Sequence, residues 1–176
     1  PSREFLTLEE LQAAANVPCE MPILKNAFIF SALTGLRWSD IEKLVWSEVQ
    51  HSEQSGYYIR FRQKKTKGAE TLPISEQAFS LLGERKKQDD KVFDGLYYSA
   101  WHNLKLREWV MKAGITKHIT FHCARHTYAS LQITLGTDIY TVSKLLGHRH
   151  LKTTEIYAKV IDHKKQEAAN KIKIDL

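Results

Sequence analysis

His122 and Arg125 stand three residues apart in the segment TFHCARHTYASLQITLG. On a helix that spacing puts both side chains on neighbouring turns of one face. Thr120 can cap such a helix, so the pair falls near an N-terminus where free N–H groups and the dipole favour an anion. A guanidinium keeps its charge at any working pH and forks onto two oxygens, while an imidazole takes or gives a proton near neutrality. Together they suit a phosphate, although taken alone a solvated arginine beside a structural histidine is the more ordinary reading of the pair. His118, His122 and His126 are spaced by four, but His118 precedes the helix and no cysteine or carboxylate supplies a further ligand. No metal and no cofactor is therefore assigned.

Two further segments carry chemistry-capable residues. In DIYTVSKLLGHRHLKTTEIYAKV, Ile139, Val142, Leu145 and Leu146 make an apolar stripe, and Gly147 stops the helix and releases His148 into a turn. Nine residues later Tyr157 falls in a short helix anchored by Ile156 and Val160. A tyrosine so placed is by itself a packing residue with its hydroxyl at the surface. Upstream, TGLRWSD follows a helix that Thr34-Gly35 ends, and KKTKGAE forms a basic hairpin turn in which Gly68 is positioned to take unusual backbone angles.

The elements that must position these residues read as follows. Thr7 and Glu10 have the form of a capping box opening a helix through LEELQAAAN, and apolar positions Ile23, Ala27, Phe30 and Leu33 keep a helical period. A short helix follows over 39–44. The segments VWSEVQ, GYYIRFRQ and ETLPIS are short, rich in β-branched and aromatic residues, and separated by polar turns, which predicts a small antiparallel sheet. Helices are expected at 75–85, 99–113, 121–135, 138–146 and 152–160, with Ala124, Tyr128, Leu131 and Leu135 as the buried stripe of the 121–135 helix. A frayed basic tail closes the chain. The fold class is mainly α with a small antiparallel three-stranded β-sheet, in one domain spanning 1–176.

Lys and Arg outnumber Asp and Glu by 26 to 20, for a net charge of +6 over 176 residues and a pI near 9.3. That balance favours an anionic partner. Cys19 and Cys123 cannot build a disulfide framework, which fits a reduced compartment. No stretch approaches the roughly 18 apolar residues of a membrane span, and the polar N-terminus has no apolar signal core. A soluble, cytoplasmic protein is expected, and a start at Pro1 fits a fragment.

His-x-x-Arg in HCAR, Leu-Gly-His in LLGH, and a tyrosine nine residues beyond that histidine resemble the C-terminal signature of the tyrosine recombinase (phage integrase) family. TGLRWSD resembles the family's first arginine segment, with Arg37 as the first catalytic arginine and Asp40 at the position of a supporting carboxylate. KKTKGAETLPI is similar to the family's lysine-bearing β-turn, with Lys65 as the match and Lys67 as the alternative. The four segments come in the family's order over about residues 5–160.

The resemblance implies an enzyme that cleaves and rejoins double-stranded DNA through a 3′-phosphotyrosyl intermediate, without metal or ATP. Arg37 and Arg125 would clamp the phosphate, His148 would add a hydrogen bond, and Tyr157 would attack. His122 would accept the tyrosine's proton, and Lys65 would protonate the leaving 5′ oxygen. Arg60, Arg62, Lys64, Lys67, Lys144, Arg149 and Lys152 are the expected DNA-binding cations. The family also implies a homotetramer on paired sites, with Ile172, Ile174 and Leu176 as a small docking strand. It further implies a longer integrase whose N-terminal core-binding domain is missing from the chain, and a nucleoid-associated location in a bacterium or phage-infected cell. A type IB topoisomerase shares much of this chemistry, but usually carries lysine where His122 stands. A non-catalytic DNA-binding accessory factor is the alternative from another class.

Overall fold

The structure, a computed structural model, describes residues 4–65, 67–148 and 158–175. Helix α1 (Leu8–Ala15) begins at the Thr7 capping box: Glu10 N donates to Thr7 Oγ1 at 3.1 Å and Thr7 N donates to Glu10 Oε1 at 3.0 Å. Helix α2 (Pro22–Thr34) has proline in its first turn, where the missing N–H costs nothing. Helix α3 (Trp38–Lys43) follows after a short turn. The sheet comprises β1 (Val49–Ser52), β2 (Gly56–Arg62) and β3 (Ala69–Pro73), antiparallel in the order β1-β2-β3. Five helices complete the described residues: α4 (Glu76–Ser80), α5 (Ala100–Lys112), α6 (Cys123–Thr134), α7 (Ile139–Leu145) and α8 (Ala158–Ala169). The expected class, mainly helical with a three-stranded sheet, is the one observed.

The chain forms two compact units, residues 1–128 and 129–176. The core of the first is aromatic. Phe28 of α2 meets Trp109 of α5 edge-on at 5.6 Å between ring centroids and Phe121 at 5.8 Å. Trp109 is 1% exposed, and its Nε1 donates to the carbonyls of Ala14 and Val17, both at 2.9 Å, so its one polar group is satisfied by the end of α1. Leu6 N donates to Thr127 Oγ1, and Lys117 Nζ donates to Glu10 and to Phe5 O. The first contact fastens the N-terminal segment to α6, and the Lys117 pair fastens it to the loop before that helix.

The sheet follows the pleat. On β2, Ile59 and Phe61 are buried while Arg60 and Arg62 are exposed, and Arg62 pairs with Ala69 across the hairpin. The left-handed conformation in the turn falls on Lys67 (φ 56°) and not on Gly68. The cause is the closure: Gln63 N donates to Gly68 O, so Gly68 already belongs to the ladder and the preceding residue must make the bend.

Several expected boundaries shift. VWSEVQ splits into a 3₁₀ turn at Trp46–Glu48 and a strand from Val49, because Glu48 reaches back to Val45 N at 3.0 Å. Helix α4 is only one turn long, ending at Ser80 and not near residue 85, where Arg85 instead donates to the carbonyls of Trp46 and Val49. Leu135 is 71% exposed: α6 ends at Thr134, and Ile133 takes the buried place. Thr120 meets the Cys123 thiol, with its own N–H donating to Sγ at 3.3 Å.

In the second unit, Asp138 caps α7 through Thr141 N at 2.8 Å, and Val142 and Leu146 are buried. The tail expected to fray is helical as α8, supported along its surface by Lys164–Glu167 and His163–Glu167 pairs. Ile172 and Ile174 are exposed, outside any strand, and Leu176 lies outside the described residues. Among the described residues, no helix is long and apolar enough to cross a membrane.

Candidate active site

The turn that delivers Arg37 is held by hydrogen bonds to the backbone N–H and carbonyl groups of Gly35 and Leu36. Gly35 takes φ 77° as the C-cap of α2, a conformation that strains any residue with a Cβ, and its N–H donates to Ser31 O at 2.7 Å. Leu36 N donates to Thr34 Oγ1 at 3.3 Å, and Ser31 Oγ donates to Leu36 O at 2.7 Å. Gly35 O accepts from Arg125 Nη1 at 2.6 Å in a buried setting. A side chain of α6 thus closes a loop 90 positions away in sequence.

Two consequences follow for the cations. Arg125 is 6% exposed, and its guanidinium is held against the backbone two residues before Arg37. Two virtual bonds span at most about 7.6 Å, so the Arg125 guanidinium lies close to the backbone that carries Arg37. Arg37 sits at the N-cap of α3, where its carbonyl accepts from Asp40 N and Ile41 N, both at 3.0 Å. Its Nη1 is buried and meets no hydrogen-bond partner among the described residues. A desolvated, charged donor without an acceptor costs several times an ordinary lost hydrogen bond, unless an anion completes it.

Asp40 is 3% exposed and lies one turn after Arg37. Its Oδ1 accepts from Lys64 N at 2.8 Å, which pins the base of the β2-β3 hairpin to the arginine turn. Lys64, Lys65 and Lys67 are exposed on that hairpin. Lys67 N donates to Gln63 O at 2.7 Å, and Arg62 Nη1 donates to Lys67 O at 2.9 Å, so Lys65 hangs from a turn stapled on both sides.

His122 is exposed immediately before α6, with its ring edge-on to His126 at 4.7 Å. Its carbonyl accepts from Arg125 N at 3.1 Å, the first turn expected from the three-residue spacing. Arg37, Asp40, the Lys65 hairpin, His122 and Arg125 all belong to the first unit.

His148 belongs to the second. Gly147 takes φ 71°, its N–H donates to Lys144 O at 3.0 Å, and His148 N donates to Ser143 O at 2.9 Å. That is a Schellman motif, and it explains why Leu-Gly-His fixes the histidine's backbone. Lys144 is exposed over the Tyr140 ring at 5.3 Å. Tyr157, Arg149 and Lys152 lie outside the described residues.

Residues that sequence reasoning passed over are Ser31 and Thr34, whose hydroxyls shape the arginine turn. Their signal was weak: a hydroxyl in the last turn of an apolar helix beside Thr-Gly.

The description "Phage integrase family" matches residues 4–164. A tyrosine recombinase of Pseudothermotoga lettingae is 42% identical over 146 residues, covering 78% of this chain and 50% of that protein. The tyrosine recombinase XerA of Saccharolobus solfataricus is 32% identical over 132 residues, covering 73% of this chain and 43% of that protein. The solved catalytic domain of bacteriophage HP1 integrase superposes with a TM-score of 0.64 at 26% identity, covering 95% of this chain and 94% of that one. The chain belongs to the phage integrase family. It spans about half the length, or less, of these two curated relatives.

Proposed function

We propose that the chain is the catalytic portion of a site-specific recombinase that cleaves and rejoins double-stranded DNA through Tyr157. The observation that carries this reading is the unsatisfied Arg37 Nη1, buried beside a turn that Arg125 itself closes. A phosphodiester oxygen supplies the missing acceptor.

On this reading Tyr157 Oη attacks the phosphorus, forming a 3′-phosphotyrosyl bond as the bond to the 5′ oxygen breaks. His122, exposed at the mouth of α6, receives the phenolic proton, and Lys65 on its stapled turn gives a proton to the departing 5′ oxygen. Arg37 and Arg125 neutralise charge on the non-bridging oxygens as the pentacoordinate state forms, and His148 adds a donor. The energy of the broken bond is kept in the phosphotyrosine, so a 5′-hydroxyl of another strand can reverse the step without ATP. These residues perform the chemistry with no metal assigned a role. Exposed Arg60, Arg62, Lys64, Lys67 and Lys144, with Arg149 and Lys152, hold the DNA backbone without reading its sequence. Two paired sites require several copies, and a homotetramer with the 172–176 segment docked on a neighbour meets that need.

A nicked suicide substrate tests this. Wild-type chain should give a protein–DNA adduct on denaturing electrophoresis, and Tyr157→Phe should give none while still binding DNA. An adduct persisting in the variant would remove Tyr157 from its role. Relaxation of supercoiled plasmid without strand exchange would instead favour topoisomerase-like chemistry.

A further inference from the structure

A cavity of about 420 Å³ lies in the first unit, beside the arginine turn; of the residues given a part in cleavage, His122 lines its edge, and the rest of its lining has no role in that chemistry. Its walls include Trp38, Tyr98 and Phe121; Trp38 stands edge-on to Phe121 at 4.8 Å and to Tyr98 at 6.4 Å. Its polar lining includes His102, Asn103 and Arg107. His102 is 2% exposed. Ser99 Oγ lies 2.6 Å from its Nδ1, whereas its Nε2 is buried with no hydrogen-bond partner among the described residues. The Tyr97 ring packs edge-on against His102 at 4.5 Å and is itself 57% exposed.

The chemistry of this lining is specific. Aromatic walls accept the flat face of a heterocycle. An orphaned ring nitrogen and the Asn103 amide can meet donors and acceptors along one edge, as a purely apolar side chain could not; that occupant would leave His102 unsatisfied. Asn103 and Arg107 are four apart on α5, hence on one face, and Arg107 is exposed and makes no ion pair among the described residues. Its guanidinium suits a phosphate at the rim. Two features set the location: Trp38 directly follows Arg37, and His122 also lines the cavity. Strand exchange, on the function proposed above, must unpair bases next to the cut before the freed strand can move.

We propose that this cavity receives one unstacked nucleobase of the bound DNA, with Trp38 and Tyr98 as walls, His102 and Asn103 on its edge, and Arg107 on its phosphate. The inference rests on the DNA-cleaving reading of the neighbouring site.

The test compares a fully paired duplex with one of equal length carrying a single extrahelical 2-aminopurine, titrated with the chain by anisotropy and by quenching of the base. The wild type should bind the bulged duplex about tenfold more tightly, the scale of one base stacked on aromatic rings, and quench its fluorescence. Tyr98→Ala at an exposed position and Asn103→Ala at a half-buried one should each abolish most of that preference, with paired-duplex affinity and Tyr157 adduct formation unchanged. Equal affinity for both duplexes in the wild type, or a preference that survives both substitutions, overturns the base pocket and leaves the enzyme reading intact. Failure to bind either duplex or to form an adduct overturns both. A DNA-free change in oligomeric state with Tyr98→Ala, without loss of the preference, assigns the cavity to a second copy of the chain and also overturns the proposal.

Discussion

Replacing Asp40 with alanine should slow DNA cleavage without weakening DNA binding. Asp40 is buried, and its Oδ1 accepts from Lys64 N at 2.8 Å, the contact that fixes the Lys65 hairpin against the arginine turn. A hydrogen bond to a charged group contributes about 1.5–3 kcal/mol. If that energy is what holds Lys65 in place, its loss lowers the cleavage rate by roughly ten- to a hundredfold, at about 1.36 kcal/mol per decade. Single-turnover cleavage of a suicide substrate measures this directly. The diagnostic is a substrate whose bridging 5′ oxygen is replaced by sulfur, since a thiolate departs without a proton. Asp40→Ala and Lys65→Ala should both regain near-wild-type rates on it, and the double substitution should be no slower than Lys65→Ala alone on the ordinary substrate. A defect in Asp40→Ala that persists with sulfur would refute the positioning role, because the carboxylate would then be acting on something other than the leaving group.

Gly35→Ala places a Cβ at φ 77° and should cost about 1–2 kcal/mol, read as a lower urea midpoint with unchanged slope; no loss would mean the turn relaxes freely. Trp109→Phe removes the donor to Ala14 O and Val17 O and should destabilise by about 1–3 kcal/mol in the same assay, an effect absent if water replaces the indole. Burial opposes ionisation of Glu10, but hydrogen bonds from Lys117 and Thr7 outweigh it and hold the carboxyl below its ordinary value of about 4.5. A depressed carboxyl stabilises the fold fully above that ordinary value and loses its contribution as pH falls through the folded pKa. The stability gap between wild type and Glu10→Gln should therefore be present at pH 7 and shrink below about pH 4; a gap that is independent of pH would show that the Lys117 pair contributes nothing.

Local features of the fold were legible because they depend on neighbours in sequence. The Thr7–Glu10 box, the glycine stops at Gly35 and Gly147, and the alternation of Ile59, Arg60, Phe61 and Arg62 each state their geometry within a few residues. The candidate site was legible as a set of residue types in order, yet its assembly was not. Arg125 reaching Gly35 O, and Asp40 reaching Lys64 N, join positions 90 and 24 apart and leave no periodic trace. The bend at Lys67 was hidden for a different reason: the ladder claimed Gly68, and pairing overrode backbone preference. Similarly, the surface ion pairs that hold α8 are invisible to a reading that weighs only apolar anchors. The cavity at His102 is drawn from segments near 24, 38, 98–107 and 118–122, none of which signals a pocket by itself.

The central claim is that Arg37 exists to neutralise a phosphate. Cleavage by wild type and Arg37→Ala on a substrate with an ordinary scissile phosphate, and on one with a neutral methylphosphonate there, tests it most directly. Arg37→Ala should lose on the order of a hundred- to a thousandfold on the phosphate, the scale of a removed transition-state donor, and little on the methylphosphonate. Equal loss on both substrates would contradict the claim, because the arginine would then be serving the fold or the strand and not the charge.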